Sequence, residues 1–289
     1  MANKKIRFGD LLMKILIVLS AGIAIALLCV IIVYVAVRGI GSVNWEFVTT
    51  VTSARKGTIG IAGNIVNRVL IILLTKIFVI PIGIGAAIYL NEYAKPGKLV
   101  TIIEFATEVL SGIPSIIFGL FGMMFFNETL GLGYSLLSGA LTLILMVLPL
   151  VIRNTQEALK TVPDGYRHGA IGLGAGKWHM IRTILIPSAM PGIITGAILA
   201  IGRIVGESAA LLFTAGSAKL LPKSFTPVGL FEKIFQSGGT LTVQLYLSAT
   251  SQGDFDTAFG IALVLLIIVL AINIATKLLT KHFDATKRK

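Results

Sequence analysis

The sequence predicts an all-α membrane protein with six transmembrane helices, and three observations carry that expectation. Charged residues make up 13% of the 289, against about a quarter in soluble domains. The mean hydropathy is +0.92. The apolar residues also gather in runs of about 18 or more, enough to cross about 30 Å of hydrocarbon at about 1.5 Å per residue.

The first span is expected over about 14–37. It holds Cys29, the one cysteine, so no intrachain disulfide can form. Leu28 stands where a lipoprotein cleavage site needs a small residue, and the run from Leu16 to Val37 exceeds a signal-peptide core. This span is therefore read as retained. The second span is expected over about 66–90 and the third over about 99–125, interrupted by Pro81 and Pro114 respectively. Such breaks are tolerated where freed carbonyls find partners in a bundle or face a water-filled path. The fourth falls at about 136–152, the fifth at about 190–213 and the sixth at about 257–279. In the fifth, Gly192 with Gly196 and Gly202 with Gly206 repeat every four residues, which allows close helix packing.

A formal net charge of +12 would suggest nucleic acid in a soluble protein, but its placement argues against that partner. Lys4, Lys5 and Arg7 precede the first span, a second basic group runs from Arg153 to Arg182, and Lys277, Lys281, Lys287, Arg288 and Lys289 close the chain. With six spans, the positive-inside rule puts all three groups and both termini in the cytoplasm. Arg38, Arg55 and Lys56 in the outer segment 38–64 make that bias imperfect.

The polar segment after the fourth span reads RNTQEALKTVPDGYRHGAIGLGAGKWHMIRTILIP. Pro163-Asp164-Gly165 signals a turn and a helix start. A short helix over 166–173, a break at Gly174–Gly176 and an amphipathic helix from Trp178 to Leu185, closed by Pro187, should follow. Such a knob suits docking into a groove of another protein; a loop lying on lipid headgroups would suit its basic residues and Trp178 equally. GLGAGKW superficially resembles a phosphate-binding loop, but Ile171 stands where its first glycine belongs and Trp178 where a magnesium-binding hydroxyl belongs. ATP hydrolysis is thus not expected from this chain. No HExxH or GxSxG is present, and His168, His179 and His282 form no ligand set on one helical face. No catalytic residue, metal or cofactor is expected.

The loop's spacing resembles the coupling motif of binding-protein-dependent ABC importer permeases: E-A-A, three residues, G, nine residues, then I-x-L-P. His168, Gly169 and Ala170 stand at the E-A-A positions, Gly174 at the glycine, and Ile184, Leu185, Ile186 and Pro187 at the ending. His168, Gly169 and Ile186 depart from the motif residues. The resemblance implies a type I importer permease fold, one permease domain over 1–289 and a cytoplasmic coupling loop over 154–188 that seats in a separate ATPase. Leu110–Gly122, Val162–Trp178 and Gly202–Gly216 further resemble the A-type permeases of phosphate-specific transport systems, the PstA family. That likeness implies inorganic phosphate as substrate. It also implies a C-type permease partner, a cytoplasmic ATPase dimer, an extracytoplasmic phosphate-binding protein, and a cell inner (plasma) membrane location.

Arg203 in the fifth span lies about 20 Å from its cytoplasmic start. A charge at such depth costs at least about 2.5–3.5 kcal/mol and is usually partnered or functional. Glu207, at i+4, is placed to pair with it. The translocation-path reading gives Arg203 transient contacts to phosphate, with Glu207 balancing its charge; the alternative is a permanent ion pair that locks helices. Lys76, midway along the second span, is a further path candidate that could instead snorkel or pair with an acid. Glu104 and Glu108 lie one turn apart and are expected to be solvated or paired with Lys95 and Lys98. Competing functions are a permease for sulfate, molybdate or tungstate, and a channel or proton-coupled carrier that uses Arg203 and Glu207 as a relay.

Overall fold

The computed structural model describes residues 8–53 and 57–283. Lys4, Lys5, Arg7, Arg55, Lys56, Lys287, Arg288 and Lys289, part of the charge pattern above, lie outside the described residues.

Five helices are long and apolar enough to cross a membrane, and a sharply bent pair makes the sixth. Helix α1 (Phe8–Gly39) is exposed over most of its length and rests on the last helix near its far end. There Tyr34 meets Phe259 edge-on, with ring centroids 5.5 Å apart. A short helix α2 (Trp45–Thr49), capped by the Asn44 side chain, leads into the hairpin β1 (Val51–Ser53) and β2 (Thr58–Ile61), with Val51 opposite Ile61.

Helix α3 (Ala62–Ile88) continues through a π turn at Tyr89–Tyr93. The expected interruption at Pro81 does not occur. Pro81 stands on the exposed face, so the hydrogen bond it cannot donate is missing only on the outer side of the bundle. Pro114 does break its span. Helix α4 (Lys98–Gly112) and helix α5 (Ser115–Gly122), extended by a π turn at Met123–Thr129, are bent by 103°. The bend follows from the proline ring, which disfavours helical backbone at the residue before it; Ile113 is extended at ψ 132°.

Helix α6 (Leu136–Lys160) is the central and most buried span. It runs two turns past the expected end at 152. Residues 153–160 are mostly good helix formers, and Glu157 and Lys160 pair at 3.7 Å at i,i+3. Helix α7 (Asp164–Gly172) and helix α8 (Lys177–Met180) follow, then a π turn at Ile181–Leu185 that runs straight into α9 (Ile186–Gly206). The chain breaks at Glu207 and Ser208, resumes as α10 (Ala209–Thr214), and returns through α11 (Pro227–Ile234) and α12 (Leu241–Thr250) to α13 (Phe255–Phe283).

The main core joins Ile71 and Val79 of α3, Leu143 and Val147 of α6, Ile204 of α9 and Leu211 of α10. A second core lies at the α7 end of the bundle. Gly192 and Gly196 do seat α9 on α6: a Cβ there would stand 2.7 Å from Ala158 Cβ and 2.6 Å from Asn154 Cβ. Gly202 and Gly206 face open space instead, so they make no close packing contact among the described residues. Outward-facing apolar side chains on α1, α3 and α13 suit a lipid solvent, in which helices associate by packing, not by expulsion of water.

Candidate functional site

The segment predicted to couple forms a helix, a glycine joint and a helix. Asp164 and Gly165 open α7, and Gly174 at φ +82° turns the chain through the left-handed region after Leu173. Ala170, Met180, Ile181 and Leu185 turn inward onto Ile88 and Leu159, which fixes the knob to the ends of α3 and α6. Tyr166, Ile171, Leu173 and Trp178 point outward, with Leu173 91% exposed. His168 and Gly169 are exposed beside them. Ile184 and Ile186 are half-buried and Pro187 is exposed. Thr161, Tyr166, Ile184 and Pro187 are among the walls of a groove of about 470 Å³.

Pro187 does not close the second helix, contrary to expectation. The Ile186 N–H reaches back five residues to the Ile181 carbonyl, so the backbone has already left α-register where the proline lacks its donor. Residues 177–206 therefore form one continuous rod.

Arg167, unremarked in the sequence, anchors α7. Its Nη2 donates to Glu92 Oε1 at 2.9 Å and to the Leu159 carbonyl at 3.1 Å, and its Nε reaches the same Glu92 oxygen at 3.3 Å. Its Nη1 donates to Asp164 Oδ1 and to the Val162 carbonyl, both at 3.0 Å. One guanidinium thus ties α7 to the π turn after α3 and to the end of α6. The Glu92 side chain is only 6% exposed. The hydrogen bond from Arg167 to Glu92, together with the fields of Glu92 and Asp164, outweighs desolvation and raises the Arg167 pKa above its ordinary value. Seventy-five residues separate the partners, and no local pattern in one sequence links them.

The structure does not bring Arg203 and Glu207 together. Helix α9 ends at Gly206, and Glu207 has extended backbone at ψ 129°, so the i+4 geometry is lost. The Glu207 carboxylate accepts the Ala210 N–H at 3.0 Å, which holds the start of α10. Arg203 is half-buried and, among the described residues, makes no ion pair within 4.0 Å. The Glu207 carbonyl instead accepts from Thr242 Oγ1 at 2.6 Å and from Arg68 Nη1 at 3.4 Å. Arg68 is the fully buried cation of the span region, 1% exposed. A trace of it was in the sequence: Asn64, Asn67 and Arg68 share one helical face inside an apolar run. Lys76 is exposed on the outer face of α3 beside Leu73 and Ile77 and makes no ion pair among the described residues.

Glu104 and Glu108 do not pair with Lys95 or Lys98. They line a polar cavity of about 270 Å³ between α4 and the end of α6, with Arg153, Gln156 and Lys160 across it. Among the described residues, no cluster of three or more His, Cys, Asp or Glu side chains could hold a metal.

Residues 79–289 match the family described as binding-protein-dependent transport system inner membrane component. The chain is 38% identical to the probable ABC transporter permease protein YqgI of Bacillus subtilis, covering 90% of each chain. It is 32% identical to the phosphate transport system permease protein PstA of Xylella fastidiosa, over 84% of this chain and 82% of that one. The same protein of Haemophilus influenzae is 32% identical over 91% of both. Among solved structures, a bacterial alginate ABC transporter superposes with a TM-score of 0.67 at 15% identity, over 94% of this chain and 96% of that one. The methionine ABC transporter MetNI in an inward-facing form gives 0.60 at 18%, over 75% and 93%. At those identities the likeness is one of fold, and the fold is that of type I ABC importer permeases.

Proposed function

The chain belongs to the binding-protein-dependent transport system inner membrane component family, and from that premise we propose that it is the A-type permease subunit of an ATP-driven importer of inorganic phosphate. The observation that carries the substrate is the likeness, at about a third identity over most of the chain, to several permeases named for phosphate transport. The chain is a multi-pass membrane component, and ATP hydrolysis belongs to a separate subunit. It lies in the cell inner membrane with both termini in the cytoplasm, which puts the α7 knob on the side where ATP is available.

The exposed apolar side chains Ile171, Leu173 and Trp178, presented on a knob that Arg167 anchors, suit a groove of a cytoplasmic ATPase. His168, at the motif's acidic position, is exposed on that same surface. A C-type permease completes the pair and an extracytoplasmic phosphate-binding protein delivers the anion. Arg203 serves the path as a free guanidinium for phosphate oxygens, since Glu207 is engaged elsewhere. Lys76 faces out of this chain, toward whatever covers α3. The test is uptake of labelled phosphate by proteoliposomes holding both permeases and the ATPase, with binding protein inside or outside. ATP-dependent uptake that sulfate and molybdate fail to compete supports the reading. Uptake without ATP, or preference for another oxyanion, overturns it.

A further inference from the structure

We propose that Arg68 and the amino terminus of α12 form an enclosed oxyanion-binding station at the end of the bundle opposite α7, beneath the segment 215–240. The proposal rests on the phosphate reading above, because it identifies the anion as inorganic phosphate.

Arg68 sits in a span, 1% exposed, with no carboxylate within 4.0 Å among the described residues. Glu207 acts on Arg68 only through its field, and a buried cation without a direct ion pair is among the costlier arrangements in a protein; inside a membrane it marks a functional position by default. Its Nη1 is engaged by Thr242 Oγ1 at 3.2 Å and by the Glu207 carbonyl. The Glu207 carboxylate is occupied by the Ala210 amide. What remains on Arg68 is Nε and Nη2, both buried and both without an acceptor. Those two nitrogens lie on one edge of the guanidinium, the edge that grips two oxygens of a carboxylate or phosphate side by side.

Helix α12 supplies a second contribution. Thr242 is the second residue of this ten-residue helix, so the bond from Arg68 holds the guanidinium at the helix's amino terminus. No side chain caps α12. Its first-turn amides and its dipole favour an anion there. A buried fork and an uncapped helix start thus converge, and both favour negative charge, while the Thr242 hydroxyl, whose proton goes to the Glu207 carbonyl, holds the guanidinium in place.

The segment above the station is tied down by two asparagines from the same face of α3. Asn64 Nδ2 donates to the Gly239 carbonyl at 2.8 Å, and Asn67 Nδ2 donates to the carbonyls of Ala218 and Gly239, both at 3.2 Å. Those bonds close the site from outside, so an anion reaches it only when the segment 215–240 lifts. Each is a single neutral hydrogen bond, the kind that contributes about 0.5–1.5 kcal/mol net and reforms readily. Lys219 and Lys233 lie in the same segment, and burial lowers the pKa of each.

Hydrogen exchange on the assembled transporter, with and without millimolar inorganic phosphate and with chloride as the control anion, tests the station directly. The expected result is slower exchange of the amides over 240–244 and 64–68 in phosphate alone, with loss of that protection in Arg68→Gln and partial return in Arg68→Lys. In the proteoliposome assay, Arg68→Gln should lower phosphate uptake about tenfold or more, a loss on the order of 1.4 kcal/mol of transition-state stabilisation. Phosphate-independent exchange in the unaltered protein overturns the station even if Arg68→Gln fails to assemble. So does wild-type uptake that Arg68→Gln leaves intact. Absence of phosphate uptake by the unaltered transporter sinks the phosphate reading itself, which is a separate outcome.

Discussion

Arg167 grips Glu92 through two nitrogens on a single carboxylate oxygen, and so fastens α7 to the end of a span 75 residues away. The same guanidinium takes two backbone carbonyls and Asp164, so no donor group on it is left idle. Removing Arg167 leaves a nearly buried carboxylate without its cation, a change that costs about 3–5 kcal/mol when burial is complete. Arg167→Ala should therefore lower thermal stability and uncouple ATP hydrolysis from uptake, while Glu92→Gln should give a milder form of both. The reversed pair, Glu92→Arg with Arg167→Glu, should recover part of the coupling. A thermal melt combined with the ratio of phosphate moved to ATP spent would decide it; an unchanged ratio in Arg167→Ala removes the clasp from the mechanism.

Leu173 is almost fully exposed. Leu173→Ser should leave the melting temperature within a degree or two, since exposed substitutions change stability by about 0.5 kcal/mol or less. Co-purification of the ATPase should fall about tenfold, as expected for loss of an apolar anchor from a docked surface. If the ATPase still co-purifies in full, the knob docks by another face.

Arg203 and Glu207 should separate in their effects, because the structure assigns them to different neighbourhoods. Arg203→Gln is expected to abolish most uptake with little change in stability, the guanidinium making no ion pair among the described residues. Glu207→Gln weakens the hold on the first turn of α10 and alters the charge near Arg68, so stability should fall by about 1–2 kcal/mol. Equal losses of stability in both variants would restore the locked ion pair as the better account. Intact phosphate uptake and selectivity in Arg203→Ala would remove its role in the path.

Lys233 is buried, and its ammonium donates to the Ser237 carbonyl at 3.2 Å. Burial lowers its pKa below the ordinary 10.5, so the unfolded chain holds the extra proton between the two values. Stability of the segment 215–240 should consequently rise as pH climbs through that interval toward 10.5 and should be lower at neutral pH. Lys233→Met should flatten the dependence. Limited proteolysis of the segment across pH 7–10 reads it out, and a flat profile in the unaltered protein contradicts the assignment.

The long spans were legible because their signal is compositional and local: runs of apolar residues, a proline that bends and a Pro-Asp-Gly that starts a helix. Ends were less legible. The polar residues 153–160 read as loop, yet their helix propensity and position after a long helix carry α6 onward. Pro81 and Pro114 look alike in sequence, but only the second bends its span, the first standing on an outer face where a missing donor is tolerated. The site divided in the same way. The spacing from His168 to Pro187 could be read along the chain, whereas Arg167–Glu92 and Arg68–Thr242 join residues 75 and 174 apart. The i+4 spacing of Arg203 and Glu207 pairs them only if α9 continues through Gly206; the break there turns the Glu207 carboxylate to the Ala210 amide instead.

The unbroken rod from Lys177 to Gly206 gives the molecule a lever arm. Thirty residues at about 1.5 Å each make a rigid member on the order of 45 Å long. Its foot is the knob, its head ends next to Glu207, and α6 lies along it as a bearing surface through Gly192 and Gly196. A tilt of about 10° about the foot would swing the head by roughly 8 Å on that length, more than the diameter of a phosphate ion. A small displacement of the knob would thereby be enlarged at the far end of the rod, beside Glu207.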